Sequence, residues 1–269
     1  ALRKLDLSSF DTSKVIDMEY MFSGCQALET LDLSSFDTSN VTSMEWMFNE
    51  CQALRKLDLS SFNTSKVIDM EYMFSRCQAL KELDVSKFDT SKVIDMEYMF
   101  SRCEALTKLD VSNFNTSKVI NMGHMFDGCS ALTKLDVSNF NTSEVTNMGH
   151  MFEECTKLKT IYASENFKID QVTRDNDMFK GCTELVGGKG TKHDKKHVDK
   201  EYARIDGGTS APGYFTQKGS TPPSTYHSVT VNVNVDENGN VNGTATATPN
   251  SAAKGTEITI EAIAKPNYK

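Results

Sequence analysis

The sequence predicts a repeat solenoid of α/β coils stacked on a parallel strand ladder, followed by a small all-β piece. Three observations carry that prediction. Cys25, Cys51, Cys77, Cys103 and Cys129 recur every 26 residues, and Leu5, Leu31, Leu57, Leu83, Leu109 and Leu135 recur at the same interval. All thirteen methionines and fourteen of the fifteen phenylalanines hold places in that one register. A unit this small cannot bury its own apolar face, so neighbours must stack into one continuous core.

Each coil opens on a strand. Leu5-Asp6-Leu7 alternates apolar, polar, apolar, which turns Leu inward and Asp outward. Strands of successive coils are expected to pair in parallel about 4.8 Å apart. Asp11-Thr12-Ser13 then supplies side-chain oxygens that bond nearby backbone and turn the chain. Val15, Met18, Met21, Phe22 and Cys25 follow at the spacing of one helix face, which predicts a short helix over 15–25. Its Val-Ile start is a poor helix former, so a looser or 3₁₀ segment is the alternative. The cysteines match no paired zinc-knuckle spacing and read as buried, reduced thiols in an inward column.

Six units follow the pattern closely, and a seventh (Ile161, Phe167, Val172, Met178, Phe179, Cys182, Leu185) is degenerate, with one residue inserted before Val172. Residues 1–186 are therefore expected to form seven coils, and 187–219 a cap in which Tyr202, Ile205, Tyr214 and Phe215 cover the last coil. Residues 220–226 read as a linker stiffened by Pro222-Pro223. In 227–269, Val229, Val231, Val233 and Val235 alternate with polar residues, and 244–248 and 258–263 are further strand candidates. The first residues already lie inside a repeat, which predicts a chain cut from something longer.

The residues of the repeat carry a resemblance. The strand Leu-x-x-Leu-x-Leu, followed by Met-Phe-x-x-Cys-x-x-Leu, resembles the BspA-type leucine-rich repeats of bacterial surface proteins. Closest is the subgroup with Phe36-Asp37-Thr38-Ser39-Asn40-Val41 and Met44-Glu45-Trp46-Met47-Phe48. Phe10, Phe36 and Phe62 stand where ordinary leucine-rich repeats carry an asparagine, so the usual asparagine ladder is expected to be absent. The block around 202–216 resembles the segment that follows such repeats. Gly243 to Pro249 and Gly255 to Ile260 resemble a bacterial surface β-repeat module, incomplete at Lys269. The resemblance implies an extracellular or cell-surface setting and adhesion to a host or neighbouring-cell protein or glycan.

Charge and motif narrow the chemistry. A net charge of −8 offers no basic face for phosphate, so no nucleic-acid partner is expected. No apolar run is long enough for a membrane span, and a monomer is expected. Gly-x-Ser-x-Gly, His-Glu-x-x-His and phosphate-loop motifs are missing, so no catalytic residue and no cofactor is assigned. His193, Asp194, His197 and Asp199 lie at a ligand-like spacing but read as an exposed charged turn, and no metal site is assigned. The sequons at Asn63, Asn115 and Asn141 are incidental, because Asp11, Asp37 and Asp89 hold the same position.

Two surface columns remain as candidate partner-binding residues. One is acidic: Asp6, Asp32, Asp58, Asp84, Asp110 and Asp136, flanked by serines that include Ser34, Ser60 and Ser86, with Lys4, Lys56, Lys108 and Lys134 two positions before the aspartates. It is expected either to dock a cationic surface or to stand as a solvated, mutually satisfied face. Calcium is disfavoured, since no loop gathers the roughly 6–8 oxygens it takes. The other column is aromatic: Tyr20, Trp46, Tyr72 and Tyr98, continued by His124 and His150. It is expected either to offer exposed rings to a partner or to pack laterally between coils. Recognition through the strand face is thus the leading expectation. The alternative is a passive spacer, favoured by the identity of 13–22, 65–74 and 91–100.

Overall fold

The computed structural model describes residues 2–220, 226–228, 243–248, 251–253 and 259–264. It divides into two units, Ala1–Pro222 and Pro223–Lys269. The first is a strand-based repeat solenoid. Its strands are β1 (Thr30–Leu31), β2 (Lys56–Leu57), β3 (Glu82–Leu83), β4 (Lys108–Leu109), β5 (Lys134–Asp136), β6 (Thr160–Ala163) and β7 (Phe215–Gln217). Pairing is parallel with a 26-residue offset, Leu31 against Leu57 and Leu83 against Leu109, which keeps every Leu on the inner face. A second parallel line of bridges runs from Asp17 through Ser43, Asp69, Asp95, Asn121 and Asn147 to Arg174.

Between these two lines lies the core. Val67, Met70, Met73, Phe74, Cys77 and Leu80 are fully buried, and the same six positions are buried in the neighbouring coils. Phe48, Phe74, Phe100, Phe126 and Phe152 stack on one another at 5.6–5.9 Å. All seven cysteines are free. From Cys51 to Cys182 each thiol reaches a phenylalanine carbonyl of the preceding coil, as Cys103 does to Phe74 at 3.2 Å. Phe36, Phe62, Phe88 and Phe114 are buried where an asparagine was not expected to ladder. The interior polar ladder is made instead by threonine, with Thr12, Thr38, Thr64, Thr90, Thr116 and Thr142 each buried and each bonded to the next coil.

The expected helix over 15–25 is corrected: no α-helix occurs among the described residues, and this segment is a run of turns. Two facts exclude a helix. Tyr20, Trp46, Tyr72, Tyr98, His124 and His150 have φ of 54–57°, in the left-handed region. Alternate N–H groups are also committed elsewhere: Met18, Tyr20, Phe22 and Gly24 donate to Ser43, Glu45, Met47 and Asn49 of the next coil at 2.8–3.1 Å. A helix would direct them back along its own axis. Successive four-residue β-turns (Ser23 to Tyr20, Cys25 to Phe22) still place the apolar residues on one side. The α part of the α/β expectation therefore fails, while its inward set is the one seen.

After the seventh coil the chain doubles back. Two 3₁₀ turns, Lys200–Tyr202 and Gly208–Ser210, lead into β7, which pairs in parallel with β6. Phe215 meets Phe167 and Phe179 edge-on at 4.8 and 6.0 Å, and Tyr214 meets Phe179 at 5.2 Å. The last coil's outward N–H groups are also met: Phe179 donates to the Val198 carbonyl and Asp177 to the Asp199 carboxylate. Buried Asp206 holds the loop by accepting from Lys189 N–H, Thr191 N–H, the Thr191 hydroxyl and Gly208 N–H.

In the second unit, β8 (Tyr226–Ser228) pairs antiparallel with β10 (Ser251–Ala253), and β9 (Gly243–Thr248) with β11 (Thr259–Ala264). The strand expected over Val229 to Val235 and most of the expected linker lie outside the described residues.

Candidate functional site

The acidic column forms as one strip. Asp6, Asp32, Asp58, Asp84 and Asp110 are exposed in register, and Asp136 is half-buried. Each carboxylate accepts the backbone N–H of the serine two residues on, at 2.9–3.0 Å, which closes a turn at the end of the strand. Backbone bonds from Ser8, Ser34 and Ser60, with their hydroxyls second, hold Asp6, Asp32 and Asp58 below the usual carboxylate range. At Asp84 and Asp110 the hydroxyls of Ser86 and Ser112 lead, and the backbone bonds follow. The strip is thus ionised at neutral pH, and the residues Asp6, Asp32, Asp58, Asp84 and Asp110 stand open to solvent. Lys56 and Lys87 lie around Asp58 in a shallow groove of about 200 Å³ that Ser60 and Asp84 also line. A neighbouring groove of about 270 Å³ runs over Asp32, Ser34, Lys56 and Asp58. Asp136 is bridged by Lys218 at 3.0 Å, which closes the strip at the capped end.

The aromatic column is a stack. Centroids are 5.5 Å apart for Tyr20–Trp46, 3.8 Å for Trp46–Tyr72, 4.2 Å for Tyr72–Tyr98, 4.1 Å for Tyr98–His124 and 4.3 Å for His124–His150. Left-handed backbone costs about 1 kcal/mol per residue, and ring stacking returns a similar amount. Of the two expectations for this column, lateral packing between coils is the one seen: the faces of Trp46, Tyr72 and Tyr98 are covered by the rings above and below, so exposed ring faces are not offered there. Only their edges meet solvent; Tyr20, at the end of the stack, is 52% exposed.

Sequence reasoning missed a second acidic line beside this stack: Glu45, Asp69, Glu71, Asp95 and Glu97. Its signal was present as Asp-Met-Glu-Tyr at 69–72 and 95–98. Burial, then Asp95 and Glu45, push Glu71 up to about 7. Burial likewise raises Glu45 and Asp95. The line ends where the motif becomes Asn-Met-Gly-His at 121–124 and 147–150. There Asn121 donates to Asp95 at 3.2 Å, and Asn147 donates to Asn121 at 2.9 Å and to Glu97 at 3.2 Å. Gly123 makes that reach possible, since a Cβ would stand 2.6 Å from the Asn147 amide nitrogen and 2.9 Å from the Glu97 oxygen.

Nucleophiles are not assembled in the core. Burial pushes the Cys51, Cys103 and Cys182 thiols up to about 12. The His193–Asp199 turn does not gather as a ligand set: His193 is turned to the Phe179 carbonyl and Asp199 to Asp177. Among the described residues the groups that do converge are Glu45, Asp69 and Glu71, and His124, His150 and Glu153. No described helix is long and apolar enough to cross a membrane.

The sequence matches one protein family, described as "Mycoplasma protein of unknown function, DUF285", over residues 2–109 and again over 75–193. No curated protein and no solved structure matches the chain.

Proposed function

Because this chain belongs to the DUF285 family, whose description carries no activity, we propose its function from its own surface: a non-enzymatic recognition module that docks a macromolecular partner on the strand face. The observation that carries this reading is the exposed, in-register strip Asp32, Asp58, Asp84 and Asp110, ionised and open to solvent. Like charges repeated along a parallel ladder repel one another, and a cationic partner surface relieves that repulsion. Solenoids commonly use such extended faces for binding. The same reading takes the coils as BspA-type leucine-rich repeats displayed outside a bacterial cell. The partner is a protein or glycan of the host or a neighbouring cell, and Ser34, Ser60 and Ser86 contribute hydroxyls beside the carboxylates.

A second reading is a passive spacer. It is favoured by the turn bond that each aspartate makes, which gives the column a structural job in every coil. Asp58, Asp84 and Asp110 all changed to Asn separates the two. Asparagine keeps the turn, as Asn63 does for Ser65 at 3.1 Å, and removes only the charge. Screened against matrix proteins and glycans, the native chain is expected to bind a partner saturably and the triple variant to lose it with an unchanged melting temperature. Binding that survives the triple change moves recognition off the acidic strip, and none across the panel from a well-folded protein leaves the spacer.

A further inference from the structure

We propose that the fifth and sixth coils hold a divalent transition-metal ion between His124, His150 and Glu153. One nitrogen of each ring and one carboxylate oxygen lie within 4.8 Å of one another. Glu153 Oε2 is 2.6 Å from His150 Nδ1, and a second carboxylate, Asp127 Oδ2, is 3.6 Å from His124 Nδ1. His124 Nδ1 is buried and has no hydrogen-bond partner, although the imidazole beside it is fully engaged. A buried nitrogen left without a partner calls for one, and an ion at this point supplies it.

The repeat itself gives the second line of argument. Tyr20, Trp46, Tyr72 and Tyr98 are followed three residues later by Ser23, Asn49, Ser75 and Ser101. Coils five and six change both positions together, to His124 with Asp127 and His150 with Glu153. Ring stacking alone would be served by tyrosine, as the preceding coils show. The joint change brings nitrogen and oxygen donors to one place on two adjacent coils.

Two imidazoles with carboxylates and no thiolate suit Zn²⁺, Co²⁺, Ni²⁺ or Cu²⁺ better than Ca²⁺ or Mg²⁺. Asn176 lies 2.6 Å from His150 Nε2, which orients that ring with Nδ1 toward Glu153. An ion binds the deprotonated nitrogen and carboxylate, so its entry displaces whatever proton lies between His150 Nδ1 and Glu153. Lys180 stays on the other Glu153 oxygen at 2.9 Å, balancing its charge. The rings tilt out of their 15° stack so that both nitrogens face an ion at about 2.0–2.1 Å. With side chains 21% and 23% exposed, they have access to solvent for that movement.

The test is Zn²⁺ calorimetry and Co²⁺ visible absorption on the full chain and on His124→Tyr, His150→Tyr and Glu153→Ser, each of which borrows the residue another coil already uses. The native chain is expected to bind one ion saturably, to melt higher with Zn²⁺, and to give Co²⁺ ligand-field bands without a thiolate charge-transfer band. Each variant is expected to keep its metal-free melting temperature and to lose roughly tenfold or more in affinity. Absence of saturable binding, undiminished binding in the His124 and Glu153 variants, or a thiolate band each overturns the assignment.

Discussion

The Thr38 hydroxyl accepts the Asn63 N–H at 2.8 Å and donates to the Asn63 carbonyl at 3.0 Å, so one side chain saturates both backbone groups of a residue in the next coil. Thr64 does the same for Asp89, Thr90 for Asn115 and Thr116 for Asn141. This column ties coil to coil where the strands are only two residues long.

Thr90→Val tests it. Valine fills the same volume but strands the Asn115 N–H and carbonyl, at about 1–3 kcal/mol for each group left unpaired. Thr90→Ser keeps both bonds and loses one methyl, about 1 kcal/mol. Denaturant unfolding is expected to rank the chains native, Ser, Val. A valine variant as stable as the serine one would remove the ladder from the account.

The inward residues were legible in the sequence because burial repeats with the coil: Leu57, Met70, Phe74 and Cys77 are inside for the reason their spacing gave. The conformation of 15–25 was not legible. Residues three apart fall on one side of a helix and also of consecutive β-turns, and only the bonds to a residue 25 or 26 positions on separate the two. Thr12 shows the same limit. Its neighbour Asp11 does turn the chain locally through Ser13, as expected, yet Thr12 itself points inward to Asp37. The acidic strip was readable as a pattern. The second acidic line was hidden by being read as part of a helix.

Thiol reactivity should separate Cys25 from the other six. Cys25 is partly exposed; Cys51 to Cys182 are buried, and Cys103, pushed up to about 12, also donates to a carbonyl. Thiolate is the reactive form, so native protein at pH 8 is expected to yield one thiol to an aromatic disulfide reagent, and all seven after unfolding. Rapid native labelling of Cys77 or Cys103, read by peptide mapping, contradicts the sealed core.

Glu71 makes the fold lose stability as pH rises toward neutrality. Its carboxyl is pushed up to about 7 by burial and by Asp95 and Glu45, above its value in the unfolded chain. A raised carboxyl contributes stability fully below its unfolded value and loses it as pH climbs through the folded one. Melting temperature is therefore expected to fall between pH 5 and pH 8, and Glu71→Gln to flatten that fall. Solvent screening keeps the effect to about 1 kcal/mol. Equal slopes for the two proteins would show that ionisation of Glu71 does not strain the stack.

The cap hangs on the Tyr214 hydroxyl, which accepts the Asp194 N–H at 3.0 Å and donates to the His197 carbonyl at 2.8 Å. Tyr214→Phe keeps the ring on Phe179 and removes both bonds, at about 1–2 kcal/mol. A solenoid distributes stability over neighbouring units, so this loss should appear locally. Hydrogen exchange is expected to quicken in residues 187–217 and in the seventh coil, with residues 41–106 unchanged. Uncovering Phe167 and Phe179 also exposes an apolar end, so the variant is expected to associate with rising concentration. If exchange instead rises evenly along all coils, the cap and solenoid unfold as one cooperative body and Tyr214 is merely one of its core residues.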